Sequence, residues 1–301
     1  MTFQFAICTD ENFVIPALVC ITSVFENNKN HPCEVTVLTD GISDESIAKF
    51  NTLASFYKQK IVIIHISPTR FDNMVTRDRY PASMYFRFLL PELLPCAPKV
   101  LYLDCDTMVR GDLNELFNTV LIGYACGVVL DQQCDDIQII NRLHLTTPYF
   151  NSGVMLMNLD EWRRKDYTNR LLAFIENNPE KCEYPDQDAL NCVIGEHVRL
   201  LNPSYNLQEM WLTMMDYARF HFSRHEELEL SKQNPHIIHF CVGDKPWYNE
   251  CRNPYREEYL SYALKHDFVG FKSRNHYSKL YYRFDAEIQR LRRWQKKFIN
   301  K

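Results

Sequence analysis

Two acidic residues separated by one position follow an apolar run in Val100-Leu-Tyr-Leu-Asp-Cys-Asp106. Ligands of α/β proteins bind beyond the carboxyl ends of strands, and Asp104 and Asp106 would repel each other there unless a cation neutralised them. Carboxylate oxygens suit hard divalent ions such as Mg²⁺ or Mn²⁺, which can bridge to a diphosphate. The pair therefore predicts a metal site. The alternative interpretation is a turn or a helix cap that contains two acids by chance.

A second stretch, Ile237-Ile-His-Phe-Cys-Val-Gly-Asp-Lys-Pro-Trp247, could complete such a site. His239 follows apolar residues, so it is expected at the end of a strand, where a neutral imidazole could join the two carboxylates as a metal ligand. Lys245, six residues further on, could neutralise phosphate charge. Taken alone, His239 would be a hydrogen-bonded core histidine, so its interpretation as a ligand depends on the residues that accompany it.

The glycine pattern excludes two common nucleotide-binding loops. No two of the eight glycines are separated by a single residue, which removes both the Gly-x-Gly-x-x-Gly fingerprint and the phosphate-cradling P-loop. A bound nucleotide must therefore be held by a different kind of binding site. The same absence disfavours nucleotidyl transfer, an enzyme class that also uses acidic pairs and a divalent ion. The eleven cysteines contain no Cys-x-x-Cys pair, so we expect reduced, mostly buried thiols in a reducing compartment.

Short apolar runs alternate with helical patterns, which predicts an α/β fold with a mainly parallel central sheet flanked by helices. The expected strands are Phe3–Cys8, Glu34–Leu38, Ile61–Ile66, Val100–Leu103, Ala125–Leu130, Gly153–Leu159 and Ile237–Cys241. The expected helices include Pro16–Glu26, one capped by Ser43, Ser83–Leu94, which would end before Pro95, and Asp188–Ile194.

Length and composition are those of one large globular domain, alone or with a smaller appendage, because the chain has 301 residues, 46% apolar and 24% charged. No apolar run approaches the ~20 residues of a membrane helix, and the N-terminus lacks the basic patch of a cleaved secretory signal. Charge is uneven: residues 271–301 carry a net charge of +8, whereas the preceding residues carry −12. The basic end is expected to meet an anionic surface.

The last segment, Phe284–Ile299, has the pattern of an amphipathic helix, with apolar residues on one face and basic residues opposite. Three tyrosines precede it, at positions 277, 281 and 282, and aromatic rings favour a water–lipid boundary. The pattern predicts a helix that lies on a membrane surface. The alternatives are a helix packed on the core and, less favoured because the body is acidic, a nucleic-acid contact.

Taken in order along the chain, several motifs resemble glycosyltransferase family 8, and the similarity is greatest to bacterial lipopolysaccharide galactosyl- and glucosyltransferases. The resemblance covers roughly residues 3–250 and implies a retaining enzyme with the GT-A nucleotide-sugar fold. The motifs are Cys8-Thr-Asp-Glu-Asn-Phe13, Tyr85-Phe-Arg-Phe88, Leu101-Tyr-Leu-Asp-Cys-Asp106, Phe150-Asn-Ser-Gly-Val154, Tyr184-Pro-Asp-Gln-Asp-Ala-Leu-Asn191 and the stretch from His239 to Trp247.

The resemblance implies a role for each matching residue. Asp10 and Asn12 would hold the uridine and its ribose, and Asp104, Asp106 and His239 would bind Mn²⁺ or Mg²⁺, with Asp104 also near the donor sugar. Lys245 would contact the diphosphate. The remaining residues would line the donor pocket: Arg87 beside the donor, and Asn151, Asp186 and Gln187 around the sugar. The alternatives are a surface ion pair for Arg87, a turn residue for Asn151 and a helix cap for Asp186.

One position departs from the family pattern, His-x-x-Gly-x-x-Lys-Pro-Trp. Residue 242 is valine here, and the glycine is displaced to Gly243. A glycine there lets a backbone amide approach the diphosphate, so Val242 puts that contact in doubt. Whether Gly243 replaces it is left open.

By this resemblance, residues 1–270 would form a catalytic domain and residues 271–301 a membrane-associating tail. The enzyme would move galactose or glucose from a UDP-sugar to a hydroxyl of an oligosaccharide or glycolipid acceptor, in lipopolysaccharide or other surface-polysaccharide synthesis. It would work in the cytoplasm, at the inner face of the bacterial inner membrane, without nucleic acid as a partner. Two alternatives remain: a non-catalytic protein that binds nucleotide sugars or glycans, and a self-glucosylating enzyme like glycogenin.

Overall fold

The computed structural model describes residues 2–72, 74–76, 81–213, 224–241, 243 and 245–275. The strands are β1 (Phe3–Cys8), β2 (Cys33–Thr39), β3 (Lys60–His65), β4 (Lys99–Leu103), β5 (Thr107–Val109), β6 (Cys126–Leu130), β7 (Phe150–Asn158), β8 (Val198–Leu200), β9 (Leu207–Gln208) and β10 (Ile237–His239). All seven strands expected from the sequence are present, with small shifts at their ends. Three short ones, β5, β8 and β9, were not expected.

The central sheet has seven strands in the order β3-β2-β1-β4-β7-β6-β8. Strand β7 is antiparallel to both of its neighbours, β4 and β6, and the other pairs are parallel. The expectation of an α/β fold with a mainly parallel sheet is therefore confirmed. Strands β1 and β4 lie side by side in parallel, so their carboxyl ends, with Asp10 and Asp104 just beyond them, open at the same edge of the sheet.

Helices cover both faces of this sheet, and each face carries its own apolar core. The α-helices are α1 (Val14–Asn27), α2 (Asp44–Tyr57), α3 (Leu90–Leu93), α4 (Asn114–Phe117), α5 (Ile137–Leu143), α6 (Leu159–Lys165), α7 (Tyr167–Asn177), α8 (Pro185–Ile194), α9 (Glu209–Thr213), α10 (His225–Gln233) and α11 (Arg256–Ala263). Ser43 caps α2 as expected, because its hydroxyl accepts the N–H of Ser46 at 3.2 Å.

Two expected helices differ from what the sequence predicted. The segment expected as a helix over Ser83–Leu94 is a 3₁₀ helix, Ala82–Leu89, followed by the single turn of α3. Pro91 has no N–H with which to continue an α-helix back to Arg87, and the carbonyl of Arg87 instead accepts the N–H of Leu90. Helix α8 begins three residues earlier than expected, with Pro185 at its first position, where a missing N–H costs little.

A second, three-stranded sheet in the order β5-β10-β9 lies beside the central one. Strand β10 runs antiparallel to β5, and the register sets His239 opposite Thr107. Strand β5 starts directly after Asp106, so this pairing carries His239 to the pair of acids that follows β4. The site predicted from two distant stretches of sequence depends on this small sheet.

None of the eleven cysteines, all of which lie among the described residues, is in a disulfide, and six of them are buried, in line with the expectation of mostly buried thiols. Among the described helices, none is long and apolar enough to cross a membrane. The predicted amphipathic helix Phe284–Ile299 lies outside the described residues. The described part of the tail contacts the rest of the fold: Phe271 packs against the core, and Arg274 donates its backbone N–H to the carbonyl of Trp247 at 3.0 Å.

Candidate functional site

Asp104, Asp106 and His239 form one cluster at the carboxyl edge of the central sheet. His239 Nε2 lies 3.2 Å from Asp106 Oδ1 and 3.9 Å from Asp104 Oδ2. One ligand atom from each of the three side chains can be chosen so that all lie within 4.8 Å of one another. Two carboxylates and one imidazole are a donor set that fits a divalent ion of the Mn²⁺ or Mg²⁺ type, with room left for a substrate oxygen.

Lys245 extends this cluster on one side. Its Nζ donates to Asp106 Oδ2 at 2.5 Å and to the backbone carbonyl of Phe240 at 2.6 Å. Burial by itself would raise the pKa of Asp106, but the nearby Lys245 and His239 outweigh burial and hold that pKa well below its usual range. Asp106 is therefore ionised at neutral pH, as a metal ligand must be.

Gly153 on β7 lies directly against Asp104 and His239. Its carbonyl accepts the N–H of Asp104 at 2.8 Å, which fixes the turn after β4 against β7. A Cβ at position 153 would lie 2.2 Å from His239 Cε1 and 2.7 Å from Asp104 Oδ2. Only glycine leaves space for both side chains, which explains the glycine of the Phe150-Asn-Ser-Gly-Val154 motif.

The side chain of Arg87 is buried next to Asp104, and the residue is only 4% exposed. Its guanidinium donates to Asp104 Oδ1 at 3.0 Å and to the carbonyl of Ser152 at 2.9 Å, and it lies 3.3 Å from Asp186 Oδ2. The ring of Tyr102 stacks on it, with the guanidinium carbon 4.1 Å from the ring centroid. Arg87 is thus a buried bridge between Asp104 and Asp186, which corrects the alternative of a surface ion pair.

Both the oxygen and the nitrogen of the Gln187 side-chain amide form hydrogen bonds. Its Oε1 accepts the N–H of Ser152 at 2.9 Å and also lies 3.2 Å from Ser152 Oγ. Its Nε2 donates to Asp131 Oδ2 at 3.2 Å, and the same oxygen accepts from Asn151 Nδ2 at 3.0 Å. Asn151 and Asp131, which are buried, and Gln187, which is half-buried, therefore form one hydrogen-bonded group beside the acids.

Asp131 was not singled out from the sequence. It follows directly after β6, as Asp104 follows β4, so the rule that found Asp104 could also have found it. Burial raises its pKa above the ordinary value, although the hydrogen bonds from Asn151 and Gln187 oppose that shift. Burial likewise raises the pKa of Asp186, against the opposing charge of Arg87.

Asp10 and Asn12 lie just beyond β1, the neighbour of β4. Asp10 Oδ1 accepts the backbone N–H of Asn12 at 2.8 Å and that of Phe13 at 3.1 Å, so it caps the short 3₁₀ helix that follows. Phe13, which the sequence analysis gave no role, presents a ring that is 40% exposed and that meets Trp247 edge-on with centroids 5.8 Å apart. An exposed aromatic ring beside polar groups is a surface on which a planar base can stack.

The family model described as "Glycosyl transferase family 8" matches residues 4–251. The chain belongs to glycosyltransferase family 8. The galactosyltransferase LgtC, solved with donor and acceptor sugar analogues, superposes with a TM-score of 0.79 at 26% identity, covering 88% of this chain and 96% of that one.

Curated relatives of this family 8 chain include the lipopolysaccharide glucosyltransferase WaaO of Escherichia coli. The two are 29% identical over 80% of this chain and 71% of WaaO. General stress protein A of Bacillus subtilis is 26% identical over 85% of this chain and 91% of its own length. The chain is thus a glycosyltransferase with the GT-A fold, and the expectation drawn from the ordered motifs is confirmed at that level.

The residues predicted for this family 8 enzyme fall into two groups in the structure. One group is linked by direct contacts and contains Asp104, Asp106, His239, Lys245, Arg87, Asp186, Gln187 and Asn151. Asp10 and Asn12 lie apart from it, at the end of the neighbouring strand. The carbonyl of Gly243 accepts the N–H of Lys245 at 2.9 Å, and a Cβ added to this glycine would meet no atom within 4 Å. Val242, the departure from the family pattern, lies outside the described residues.

Proposed function

We propose that this family 8 enzyme transfers galactose or glucose from a UDP-sugar to a hydroxyl of a glycan acceptor, with retention at the anomeric carbon, in lipopolysaccharide or other surface-polysaccharide synthesis. The observation that carries the proposal is the convergence of Asp104, Asp106, His239 and Lys245 at the edge where strands β1 and β4 end. Two carboxylates, an imidazole and a lysine at one point are the groups that a metal-bound diphosphate requires.

The metal ligands in this proposal are Asp104, Asp106 and His239, with Mn²⁺ or Mg²⁺ as the ion. When bound, the ion would neutralise negative charge on the diphosphate leaving group. Lys245, already within hydrogen-bond distance of Asp106, would add a second positive charge to the same phosphates. Removing one such cation or donor typically costs ~3–4 kcal/mol of transition-state stabilisation.

Arg87 would act through the two acids that it bridges. Because its guanidinium is engaged by Asp104 and Asp186, it fixes where these carboxylates point and adds positive charge behind the metal site. Loss of Arg87 would leave both carboxylates without their buried counter-charge, which is costly in a low-dielectric site.

The sugar would lie over Gln187 and Asn151. A neutral amide is a poor nucleophile, and the carboxylate of Asp186 is occupied by Arg87 at 3.3 Å, so a covalent glycosyl–enzyme intermediate is the less favoured route. We favour same-face attack within a tight ion pair. The bond between the anomeric carbon and the phosphate oxygen breaks, and its electrons leave with UDP. The acceptor oxygen then bonds to the anomeric carbon on the same face, and the acceptor proton passes to that phosphate oxygen. The partial negative charge on Gln187 Oε1 would stabilise the cationic sugar.

The nucleoside would bind at the end of β1. Asn12 is exposed there, Asp10 stiffens the loop that carries it, and the Phe13 ring offers a stacking surface for the base. A uracil stacked on Phe13 would place its ribose near Asp10 and its diphosphate towards Asp104, at the end of the adjacent strand.

The acceptor would approach at the N-terminal end of α8, next to Tyr184, the residue before the helix. A cavity of about 260 Å³ lies there, lined by Gln133, Asp136, Gln138, Ile139, Arg142, Glu183 and Tyr184. The Tyr184 ring is 37% exposed, and a ring surrounded by amides, acids and an arginine suits sugar hydroxyls and the apolar face of a pyranose. Tyr184 directly precedes α8, the helix that carries Gln187, so this cavity adjoins the start of that helix.

The proposal also covers the role of the basic tail and the place in the cell where the enzyme works. Residues 271–301 would attach the catalytic domain to the anionic cytoplasmic face of the inner membrane, where a glycolipid acceptor is available. The basic and apolar residues of that segment support this role.

The proposed function is tested by incubating the full chain with Mn²⁺ and a panel of UDP-sugars, and then measuring UDP release. Release from UDP-galactose or UDP-glucose is the expected result, and the preferred sugar names the donor. Tight binding without release would contradict transfer and favour a non-catalytic binding protein. A mass increase of one hexose or more on the enzyme itself would favour the self-glucosylating alternative.

A further inference from the structure

Asn206 is a fully buried polar residue to which neither the sequence motifs nor the metal cluster assign a role. It ends the 3₁₀ helix Pro203–Asn206 and immediately precedes β9, which pairs in parallel with β10, the strand of His239. Its side chain lies between two residues of the site: its Nδ2 is 2.9 Å from Asn151 Oδ1, and its Oδ1 is 3.1 Å from His239 Nδ1.

The direction of these hydrogen bonds follows from one backbone group. The N–H of Gly153 can only donate, and it points at Asn151 Oδ1 at 3.0 Å. The atom of Asn206 that faces the same oxygen must therefore also be a donor, which makes it the amide nitrogen. The other end of Asn151 agrees, because its Nδ2 faces the carboxylate of Asp131 at 3.0 Å.

The orientation of Asn206 determines the tautomer of His239. With the amide nitrogen turned to Asn151, the carbonyl oxygen of Asn206 faces His239 Nδ1, so Nδ1 must carry the proton. In the neutral ring that a metal ligand requires, the lone pair is then on Nε2, the nitrogen that lies 3.2 Å from Asp106 Oδ1. A metal ligand of this kind is normally oriented by the partner of its other ring nitrogen.

We propose that Asn206 is a positioning residue that keeps His239 in its metal-binding tautomer and couples the metal centre to the sugar pocket. The coupling runs through Asn151 and Asp131 to Gln187, the residue expected beneath the donor sugar. The inference rests on the proposed function, because it takes His239 as a metal ligand.

Asn206→Ala removes both hydrogen bonds and should weaken Mn²⁺ binding in the presence of UDP by about 10- to 100-fold, the usual effect of losing such an outer partner. Asn206→Asp keeps an acceptor for His239 Nδ1 but loses the donor to Asn151. It should therefore retain most of the Mn²⁺ affinity while losing turnover. A variant that keeps its Mn²⁺ affinity but loses kcat is a result that a merely structural role of Asn206 would not produce.

Asn28→Ala is the matched control. Asn28 is also fully buried and hydrogen-bonded, to the carbonyl of Val24 and the N–H of Leu113, and it belongs to no part of the site. Its replacement should lower the melting temperature and leave Mn²⁺ affinity unchanged. Free Mn²⁺ can be followed by electron paramagnetic resonance during titration of each folded variant.

His239→Ala distinguishes failure of this inference from failure of the proposed function. If His239→Ala weakens Mn²⁺ binding and Asn206→Ala does not, the positioning role is overturned and the metal site stands. If neither variant weakens it, the assignment of His239 as a metal ligand is wrong, and the inference falls with it. Should Asn206→Ala not fold, ¹⁵N NMR of histidine in the unaltered protein decides: a protonated Nδ1 at His239 supports the inference, and a protonated Nε2 with a bare Nδ1 overturns it.

Discussion

Lys245 Nζ lies 2.5 Å from Asp106 Oδ2, so one carboxylate connects the lysine expected at the diphosphate with the proposed metal centre. The two residues are 139 positions apart in the chain and meet because β10 pairs with β5. The remaining oxygen of Asp106 faces His239. This carboxylate therefore contacts both a residue proposed to hold the ion and the residue proposed to hold the phosphates.

Lys245→Met should lower kcat/KM about 100- to 1000-fold, because a positive charge is lost from the leaving group. UDP binding should weaken as well, whereas Mn²⁺ binding without nucleotide should not, since the competing ammonium is gone from Asp106. Steady-state kinetics and calorimetric titration measure these effects. Lys60→Met, which breaks an exposed pair with Glu34, is the control. Undiminished kcat/KM in Lys245→Met would remove Lys245 from the mechanism.

Asp104→Asn and Asp106→Asn should each abolish metal-dependent UDP release and leave the fold intact, because a neutral amide oxygen binds a hard divalent ion much more weakly than a carboxylate. Release of UDP at several Mn²⁺ concentrations measures the effect, and circular dichroism checks the fold. Asp267→Asn, at an exposed position in the 3₁₀ helix Asp267–Val269, should behave like the unaltered enzyme. Full activity in either of the first two variants contradicts the metal assignment.

Gly153→Ala should eliminate Mn²⁺ binding, since the added methyl would overlap His239 Cε1 at 2.2 Å and crowd Asp104. Gly127→Ala is a matched control in β6. Its methyl would meet the flexible side chain of Leu201 at 3.0 Å, which costs stability but does not touch the site. Comparable Mn²⁺ affinities in the two variants would show that His239 and Asp104 are not confined as described.

Arg87→Met should destabilise the protein by about 3–5 kcal/mol, because it removes a buried cation and leaves the buried carboxylate of Asp186 and the half-buried carboxylate of Asp104 without their counter-charge. Denaturant unfolding measures the loss. Arg70→Met breaks an exposed pair with Glu92, and should cost no more than about 1 kcal/mol. Equal losses in the two variants would mean that Arg87 is not the buried bridge between the acids.

Removal of residues 276–301 should release the enzyme from membranes while leaving turnover of a soluble acceptor largely unchanged. Truncation after Asn275 spares Phe271 and Arg274, which contact the catalytic body. Sedimentation with vesicles of anionic lipid, and with vesicles of zwitterionic lipid for comparison, measures the binding. A truncated protein that still sediments with anionic vesicles would refute the role of the tail.

The sequence alone determined the α/β class, the positions of the main strands and the acids that follow them. These features are local: a run of apolar residues with strand character, and a polar residue directly after it, can be recognised without knowing what lies alongside. For that reason Asp104 and Asp106 were found from residues 100–106 alone, and the same rule could have identified Asp131 after β6.

Only the tertiary structure decided how distant groups meet. The register of β10 against β5 carried His239 to Asp106, and the antiparallel strand β7 brought Gly153 beneath them. The enclosure of Arg87 and the chain of amides from Asn206 to Gln187 likewise depend on packing between separate elements. Hydrogen bonds between such elements are set by register and burial, which no local pattern of residue types contains.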